Sequence, residues 1–169
     1  MNKIKTCNAL AYIFIIIIII SVLPFVITKP FGYEPYGIIS NSMEPEIPTG
    51  SVVYVKKANP EEIQKDDIIT FTVSADNQNV ATHRVVLNDI ENQEFYTKGD
   101  NNEEMDTNTV SYSNLLGTVT LCIPYLGYFY KILVSFYGMM LSGILLITSI
   151  VLWYLVSQWK KETKTATSK

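Results

Sequence analysis

The fold is indicated most clearly by the stretch Ala81-Thr82-His83-Arg84-Val85-Val86-Leu87. The stretch is rich in β-branched residues, and successive side chains of a strand point to opposite faces of the sheet. Ala81, His83, Val85 and Leu87 are therefore expected to share one face, and Thr82, Arg84 and Val86 the other. This pattern predicts a half-buried strand whose more apolar face carries the only histidine of the chain.

Further stretches of this kind lie on both sides of the histidine strand, at residues 51–55, 68–73, 94–98 and 116–123. Turn-forming residues separate them, at positions 48–50, 75–77, 88–89 and 99–102. Residues 59–66 can form one helical turn, with Asn59 as its cap and Pro60 in its first position. The predicted fold class is mainly β, a small antiparallel β domain.

Two long apolar runs flank this region, at residues 9–28 and 132–156. About 20 apolar residues in a helix cross the hydrocarbon core of a bilayer. The first run is expected to be an uncleaved anchor; a cleavable signal peptide is the alternative, but residues 26–30 lack its small-residue exit. The second run is too apolar to be the core helix of so small a domain.

The chain therefore divides into segments 1–8, 9–28, 29–131, 132–156 and 157–169: cytoplasmic, transmembrane, extracytoplasmic, transmembrane and cytoplasmic. This orientation follows from the lysines outside the two runs, namely Lys3, Lys5, Lys160, Lys161, Lys164 and Lys169. Segment 29–131 holds seven Lys and Arg against fifteen Asp and Glu, a net charge of −8. This charge argues against nucleic acid as a ligand. The two cysteines, Cys7 and Cys122, are expected not to form a disulfide.

The middle segment contains the three functional groups of a serine-dependent acyl-transfer site. Ser42 offers a hydroxyl, His83 an imidazole that can take and return a proton, and Asp100 and Asp106 offer carboxylates. One carboxylate is expected to orient the His83 N–H. The other is expected to brace its loop by accepting backbone N–H bonds, or to make a supporting hydrogen bond. Each residue also has a structural interpretation: a turn serine, a packed histidine and a solvated acidic loop.

The motifs around these residues resemble those of type I signal peptidases. Residues 42–45 (SMEP) are similar to the nucleophile box of that family. Residues 65–71 (KDDIITF) are similar to the strand that follows, with Asp66 where the family has glycine. The common bacterial enzymes have a lysine base directly before Arg-Val-Val. Here that place is taken by His83, as in the endoplasmic-reticulum type found in eukaryotes, archaea and some Gram-positive bacteria.

The resemblance continues to the end of the middle segment. Residues 97–102 (TKGDNN) and Asp106 are similar to the acidic box of this subgroup, and residues 123–128 to the segment that closes the domain. By position Asp106 matches the triad aspartate and Asp100 a second acid beside it. The resemblance also implies Ser40 as an oxyanion donor together with the Ser42 amide.

The resemblance implies a membrane-bound serine endopeptidase that removes signal peptides from exported precursors, with Ser42, His83 and Asp106 as its triad. Precursors bearing signal peptides and the lipid bilayer are the expected partners, and nucleic acid is not. No metal and no other cofactor is expected. The implied location is a bacterial plasma membrane. Two alternatives remain: a non-catalytic, membrane-anchored β domain that binds a secreted or secretion-machinery partner, and a self-cleaving regulator.

Overall fold

The computed structural model describes residues 2–73 and 79–167, with side chains described from residue 4 to residue 161. The turn expected at 75–77 and the charge of Lys169 therefore lie outside the described residues, as do the side chains of Lys3 and Lys164. The chain divides into two units, one of Met1–Val26 with Lys131–Lys169 and the other of Ile27–Tyr130.

The first unit is helical and contains two apolar helices, α1 (Asn2–Val26) and α3 (Phe136–Thr167). They pack against each other, and Ala11, Ser21, Ser149 and Val156 are buried. The two buried serine hydroxyls donate to carbonyls four residues earlier in their own helices. Within the described residues, Ile4–Phe31 and Phe136–Lys161 are long and apolar enough to cross a membrane, by length and composition alone.

A shorter helix, α2 (Leu126–Val134), precedes α3. The apolar run predicted to start at residue 132 is interrupted here, because Ser135 separates the two helices. Its hydroxyl donates to the carbonyl of Ile132 at 2.6 Å and accepts from the amide of Gly138 at 3.2 Å. Ser135 thus caps the start of α3 with its side chain.

The second unit is built on one antiparallel sheet, which confirms the predicted mainly β fold class. Its strands are β1 (Tyr33–Gly37), β2 (Val52–Lys56), β3 (Ile68–Thr72), β4 (Val80–Asp89), β5 (Glu94–Lys98), β6 (Val110–Ser111) and β7 (Leu115–Ile123). Their spatial order is β1-β2-β7-β3-β4-β5-β6. The five predicted strands are all present, whereas β1 and β6, the two edge strands, were not predicted.

Two clusters of buried apolar side chains form the core of this unit. One is Ile63, Ile69, Phe71, Val85, Phe95 and Val110. The other joins Met43 and Ile47 to the β2 residues Val53 and Val55. The predicted helical turn is a 3-10 helix, Pro60–Glu62, and the Asn59 side chain caps it by accepting from the amide of Glu61. Cys7 and Cys122 are free thiols in the structure.

The predicted alternation of β4 fails at Thr82 and at Leu87. Thr82 was expected on the more polar face but is buried, with its hydroxyl 2.9 Å from that of Thr70. Val85 is buried as expected, but Leu87 is 53% exposed. The pairing of β4 with β5 shifts register between these two residues, which marks a β-bulge. The bulge turns Leu87 out of the apolar face but lies beyond His83, whose pairing with Ile69 of β3 is regular.

Candidate active site

Ser42 lies in the loop that joins β1 to β2, which we call the nucleophile loop (residues 38–51). The loop closes on itself, because Ile38 donates to the Ser51 carbonyl at 2.9 Å and Gly50 donates to the Ile38 carbonyl at 2.8 Å. Met43 follows Ser42 directly and is only 1% exposed. The burial of Met43 and Ile47 in the core fixes the backbone on which the half-buried Ser42 stands.

A side-chain network braces the inside of the nucleophile loop. The Thr49 hydroxyl lies 2.8 Å from Glu44 Oε1 and 3.0 Å from the carbonyl oxygen of Ser40. The Thr49 amide also donates to Glu44 Oε1, at 3.2 Å. Thr49 therefore ties the residues on both sides of Ser42 to the end of the loop. None of these bonds was anticipated from the sequence.

His83 reaches Ser42 from the centre of the sheet. Its Nε2 atom lies 3.2 Å from the Ser42 hydroxyl oxygen, at the outer limit of direct hydrogen-bond reach. The ring packs edge-on against Phe71, with ring centroids 6.2 Å apart, and its side chain is 15% exposed. The prediction that the histidine lies on the more apolar face is confirmed by this packing.

Asp106 occupies the other side of the imidazole. Its Oδ2 atom lies 2.5 Å from His83 Nδ1 and also accepts a hydrogen bond of 2.6 Å from the Thr97 hydroxyl. The Asp106 amide donates to the Thr97 carbonyl at 2.9 Å. Thr97, which is buried on β5, thus fixes both the backbone and the carboxylate of Asp106. Thr97 lies in one of the motifs identified from the sequence, but no contact with Asp106 was predicted for it.

Asp100 does not contact the histidine; it pairs with Arg84. The Arg84 Nε and Nη2 atoms donate to the two Asp100 oxygens at 2.8 and 2.6 Å, and these bonds raise the pKa of Arg84 above its ordinary value. Asp100 is thus held by Arg84, and none of its described hydrogen bonds comes from a turn N–H group. Arg84 pairs with Lys98 in the β4–β5 register, close to Asp100 in the chain, and a bidentate bond between a guanidinium and a carboxylate is stronger than a bond between neutral groups.

Arg84 also holds the turn at Asp66, where the resemblance implies glycine. Its Nη1 atom donates to the Asp66 carbonyl at 2.9 Å. The φ angle of Asp66 is +74°, in the left-handed region that glycine favours and that aspartate tolerates better than most residues. Asp66 therefore adopts a backbone conformation that is open to glycine.

The loop after β5 also touches the serine backbone. The Asn101 amide donates to the Ser42 carbonyl at 2.8 Å. A Cβ atom on the buried Gly99 would lie 2.7 Å from the same carbonyl oxygen, so only glycine allows this approach. Gly99 and Asn101 are functional candidates that the sequence suggested only as turn residues.

Ser40 lies next to the Ser42 hydroxyl. The two Oγ atoms are 3.2 Å apart, and either can donate to the other. Ser40 is exposed, so its hydroxyl is accessible from outside the loop. Among the described residues, no three His, Cys, Asp or Glu side chains are grouped in a way that could hold a metal ion.

A cavity of about 560 Å³ opens beside His83 and Asp106. Phe71, Ala81 and Val110 form part of its apolar lining, and Asn102 and Glu104 part of its polar lining. Its size falls within the range of small-ligand pockets, roughly 300–1,000 Å³. The imidazole and its carboxylate partner are therefore bordered by open space rather than by packed protein.

The chemistry that this arrangement permits is proton transfer from Ser42 to His83. A serine hydroxyl is a weak nucleophile until a base accepts its proton, and the base must be held in one tautomer by a third group. The described distances provide both contacts: His83 Nε2 lies next to the Ser42 hydroxyl, and His83 Nδ1 lies next to the Asp106 carboxylate.

Comparison with known proteins gives two matches. Residues 8–88 match the sequence model of the family described as Signal peptidase, peptidase S26. The chain is also 43% identical over 95 residues to Signal peptidase I W of Bacillus subtilis (strain 168). This alignment covers 53% of the chain and 48% of the relative, so the chain spans about half the relative's length. The family match includes Ser42 and His83 and ends before Asp106.

Proposed function

From the match of residues 8–88 to the family described as Signal peptidase, peptidase S26, we propose that this chain is a membrane-bound serine endopeptidase that removes signal peptides from exported precursors. The observation that carries the proposal is the contact of Ser42 Oγ with His83 Nε2 at 3.2 Å, together with that of His83 Nδ1 with Asp106 at 2.5 Å. Without a catalytic role, nothing requires a hydroxyl, an imidazole and a carboxylate to meet in this order.

In the proposed mechanism, the Ser42 Oγ atom attacks the carbonyl carbon of the scissile bond while His83 Nε2 accepts the hydroxyl proton. The Asp106 carboxylate accepts a hydrogen bond from the His83 Nδ1–H group. This bond leaves Nε2 unprotonated, so that it can act as the base, and it stabilises the imidazolium that forms. The tetrahedral intermediate collapses as His83 returns the proton to the leaving amine. Water then enters, His83 takes its proton, and the ester to Ser42 is hydrolysed.

The negative oxygen of the tetrahedral intermediate needs hydrogen-bond donors. The Ser42 amide and the Ser40 hydroxyl are the proposed donors, and Ser40 already lies 3.2 Å from the attacking oxygen. The loss of one such donor typically costs about 2.7–4 kcal/mol of transition-state stabilisation. Ser40→Ala should therefore lower turnover by roughly two to three orders of magnitude.

The proposed base distinguishes this site from family members that use a lysine. A lysine base must be neutral to accept a proton, and a nearby carboxylate favours its charged form. Because Asp106 lies against the base position, a lysine there would stay protonated and could not accept the Ser42 proton, whereas an imidazole can. We expect His83→Lys to be inactive near neutral pH, and substantial activity in that variant would contradict this assignment.

The proposed substrates are precursors that carry a signal peptide, with small residues preferred at positions −1 and −3. The two apolar helices are the proposed membrane anchors, with both chain ends in the cytoplasm of a bacterium and the β unit outside the plasma membrane. This placement brings the site to the side of the bilayer on which exported precursors emerge.

The experiment that tests the proposal uses the purified full chain in detergent or liposomes with a signal-bearing precursor. The unaltered chain should cleave it, and N-terminal sequencing of the product should give the mature start. Ser42→Ala and His83→Ala should abolish cleavage without loss of thermal stability. Ser113→Ala, at an exposed serine, is the control. Equal cleavage by Ser42→Ala would overturn Ser42 as the nucleophile, and no cleavage by the unaltered chain would favour a non-catalytic binding domain.

A further inference from the structure

The neck of the nucleophile loop contacts the segment that leads out of the β unit. We use neck for the closing residues Ile38, Gly50 and Ser51, which are joined by the two backbone hydrogen bonds described above. The φ angle of Gly50 is +84°, in the left-handed region that side chains disfavour. The neck therefore has a specific backbone conformation, and the loop that carries Ser42 depends on it.

Gly127 donates from its amide to the Gly50 carbonyl at 2.8 Å. A Cβ atom on Gly127 would lie 2.8 Å from that carbonyl oxygen and 3.2 Å from the carbonyl oxygen of Ser51. The backbones at Gly127 and Gly50 thus lie so close together that Gly127 has no room for a side chain. A backbone hydrogen bond also joins the two residues.

Tyr128 covers the same glycine from its side-chain face. A Cβ atom on Gly50 would collide with the Tyr128 ring, at Cε2, Cζ and Cδ2. The Tyr128 backbone is held locally, because its amide donates to the Tyr125 carbonyl at 3.2 Å. Gly127 and Tyr128 therefore hold Gly50 through both its carbonyl and its α-carbon.

The neck is connected to Ser42 by direct contacts. Thr49 precedes Gly50, and its hydroxyl bonds both to the Ser40 carbonyl and to Glu44, on either side of the nucleophile. A displacement of Gly50 would move Thr49 and, with it, both flanks of Ser42. The Ser42–His83 contact of 3.2 Å is at the limit of hydrogen-bond reach, so a small displacement breaks it.

We propose that Gly127 and Tyr128 are positioning residues for Ser42: they lock the neck of the nucleophile loop. The inference rests on the proposed peptidase function for its kinetic consequence but not for its structural one. Because Tyr128 lies in α2 and the chain continues directly into α3, the segment before the second apolar helix has a role in the site in addition to attachment. Nothing in the family match assigns this role, since that match ends at residue 88.

The test compares Tyr128→Ala with Tyr128→Phe and with Phe129→Ala in the full chain. Phe129 is the adjacent aromatic residue of α2 and is similarly exposed, 45% against 50% for Tyr128. We expect Tyr128→Ala to lower kcat on a precursor about tenfold or more, with KM changed less than about twofold, since a misplaced nucleophile slows chemistry more than binding. Tyr128→Phe should restore kcat, and Phe129→Ala should leave it unchanged.

A second measurement does not depend on activity. Amide hydrogen exchange of Ile38 and Gly50 should become faster in Tyr128→Ala, while that of Val85 in the sheet stays unchanged. If Tyr128→Ala does not fold, Tyr128→Leu takes its place. Unchanged exchange at the neck, or an equal loss of kcat in Phe129→Ala, would overturn the inference. If exchange at the neck is faster in Tyr128→Ala but the unaltered chain cleaves no precursor, the result supports the inference and counts against the proposed function.

A double-mutant cycle adds a check on the contact itself. Gly50→Ala should be strongly harmful, because the new methyl collides with the Tyr128 ring and the residue has a positive φ angle. In the Tyr128→Ala background the collision is removed, so the same change should cost less than it does alone. Strictly additive effects on kcat and on neck exchange would show that the two residues do not act through this contact.

Discussion

The carbonyl oxygen of Ser42 accepts a 2.8 Å hydrogen bond from the amide of Asn101. This bond joins the nucleophile loop to the loop that carries Asp106, although the two are far apart in sequence. The second loop is held in turn by Asp100 on Arg84, by Lys98 Nζ on the Glu103 carbonyl at 3.0 Å, and by Asp106 on Thr97. One loop therefore sets the position of the serine backbone and of the carboxylate together.

Gly99→Ala tests this connection. Its Cβ atom would lie 2.7 Å from the Ser42 carbonyl oxygen, so one of the two loops must move. Overpacking of this kind typically costs about 1–3 kcal/mol. We expect turnover to fall about tenfold or more, with a fall in melting temperature. Gly37→Ala is the matched control, because no atom lies within 4 Å of a Cβ there. Equal effects of the two changes would contradict the account.

Replacement of each acid by asparagine should have a different effect: a loss of turnover at Asp106 and a loss of stability at Asp100. Asp106→Asn should reduce turnover by roughly three to four orders of magnitude with little change in melting temperature, because an amide favours the wrong histidine tautomer. Asp100→Asn weakens the bidentate bond to Arg84, which costs about 1–3 kcal/mol of stability and several degrees of melting temperature. Turnover and thermal unfolding of both variants decide the matter. The roles must be exchanged if Asp100→Asn is well folded and inactive.

The strands and the candidate site residues could be predicted because they depend on local patterns. Stretches rich in β-branched residues identified five strands, and the resemblance of four short motifs pointed to Ser42, His83 and both acids. Strand β1 was missed because it contains Pro35 and Gly37, which sheets accept mainly at edges. Strand β6 is only two residues long and has no readable period.

The contacts that fix the site could not be predicted, because they join residues distant in sequence. The pairing of Asp100 with Arg84 depends on the β4–β5 register, and the exposure of Leu87 on a bulge in that register. Neither the ion pair nor the bulge can be recognised from composition or from the spacing of residues. The bond from Thr97 to Asp106 depends on the path of the loop after β5, which brings Asp106 back beside that strand. Likewise, the contact of Gly127 with Gly50 requires the last segment of the unit to be placed.

Cys122 on β7 reports on the packing of the nucleophile loop. Burial is the main cause that raises the pKa of its thiol above the ordinary value, and the carboxylate of Glu46 raises it further, against a hydrogen bond from Ser51 that lowers it. The thiolate is the reactive form, so alkylation should reach half its maximal rate at a pH above the ordinary pKa of a cysteine thiol.

Glu46→Gln should lower that midpoint, because it removes a negative charge that disfavours the thiolate. The measurement is the rate of iodoacetamide alkylation against pH in a Cys7→Ser chain. A midpoint that does not change in Glu46→Gln would show that the loop does not hold Glu46 near β7.

The proposed membrane orientation predicts opposite labelling of two introduced cysteines. Glu91, exposed in the turn between β4 and β5, should lie outside, and Lys161 at the end of α3 should lie in the cytoplasm. In chains with Cys7 and Cys122 replaced by serine, a membrane-impermeant maleimide should label Glu91→Cys in intact cells. It should label Lys161→Cys only after the membrane is broken. The reverse pattern would overturn the orientation.

The central claim, that Ser42 is the nucleophile and His83 its base, is tested most directly by mapping the covalent intermediate. The purified chain is mixed with a p-nitrophenyl ester of a short peptide ending in alanine, quenched in acid and analysed by intact mass and peptide mapping. The account predicts release of p-nitrophenolate and one acyl group on Ser42, absent in Ser42→Ala and strongly slowed in His83→Ala. An acyl group on Ser40, 3.2 Å away, or acylation that persists without Ser42, would contradict it.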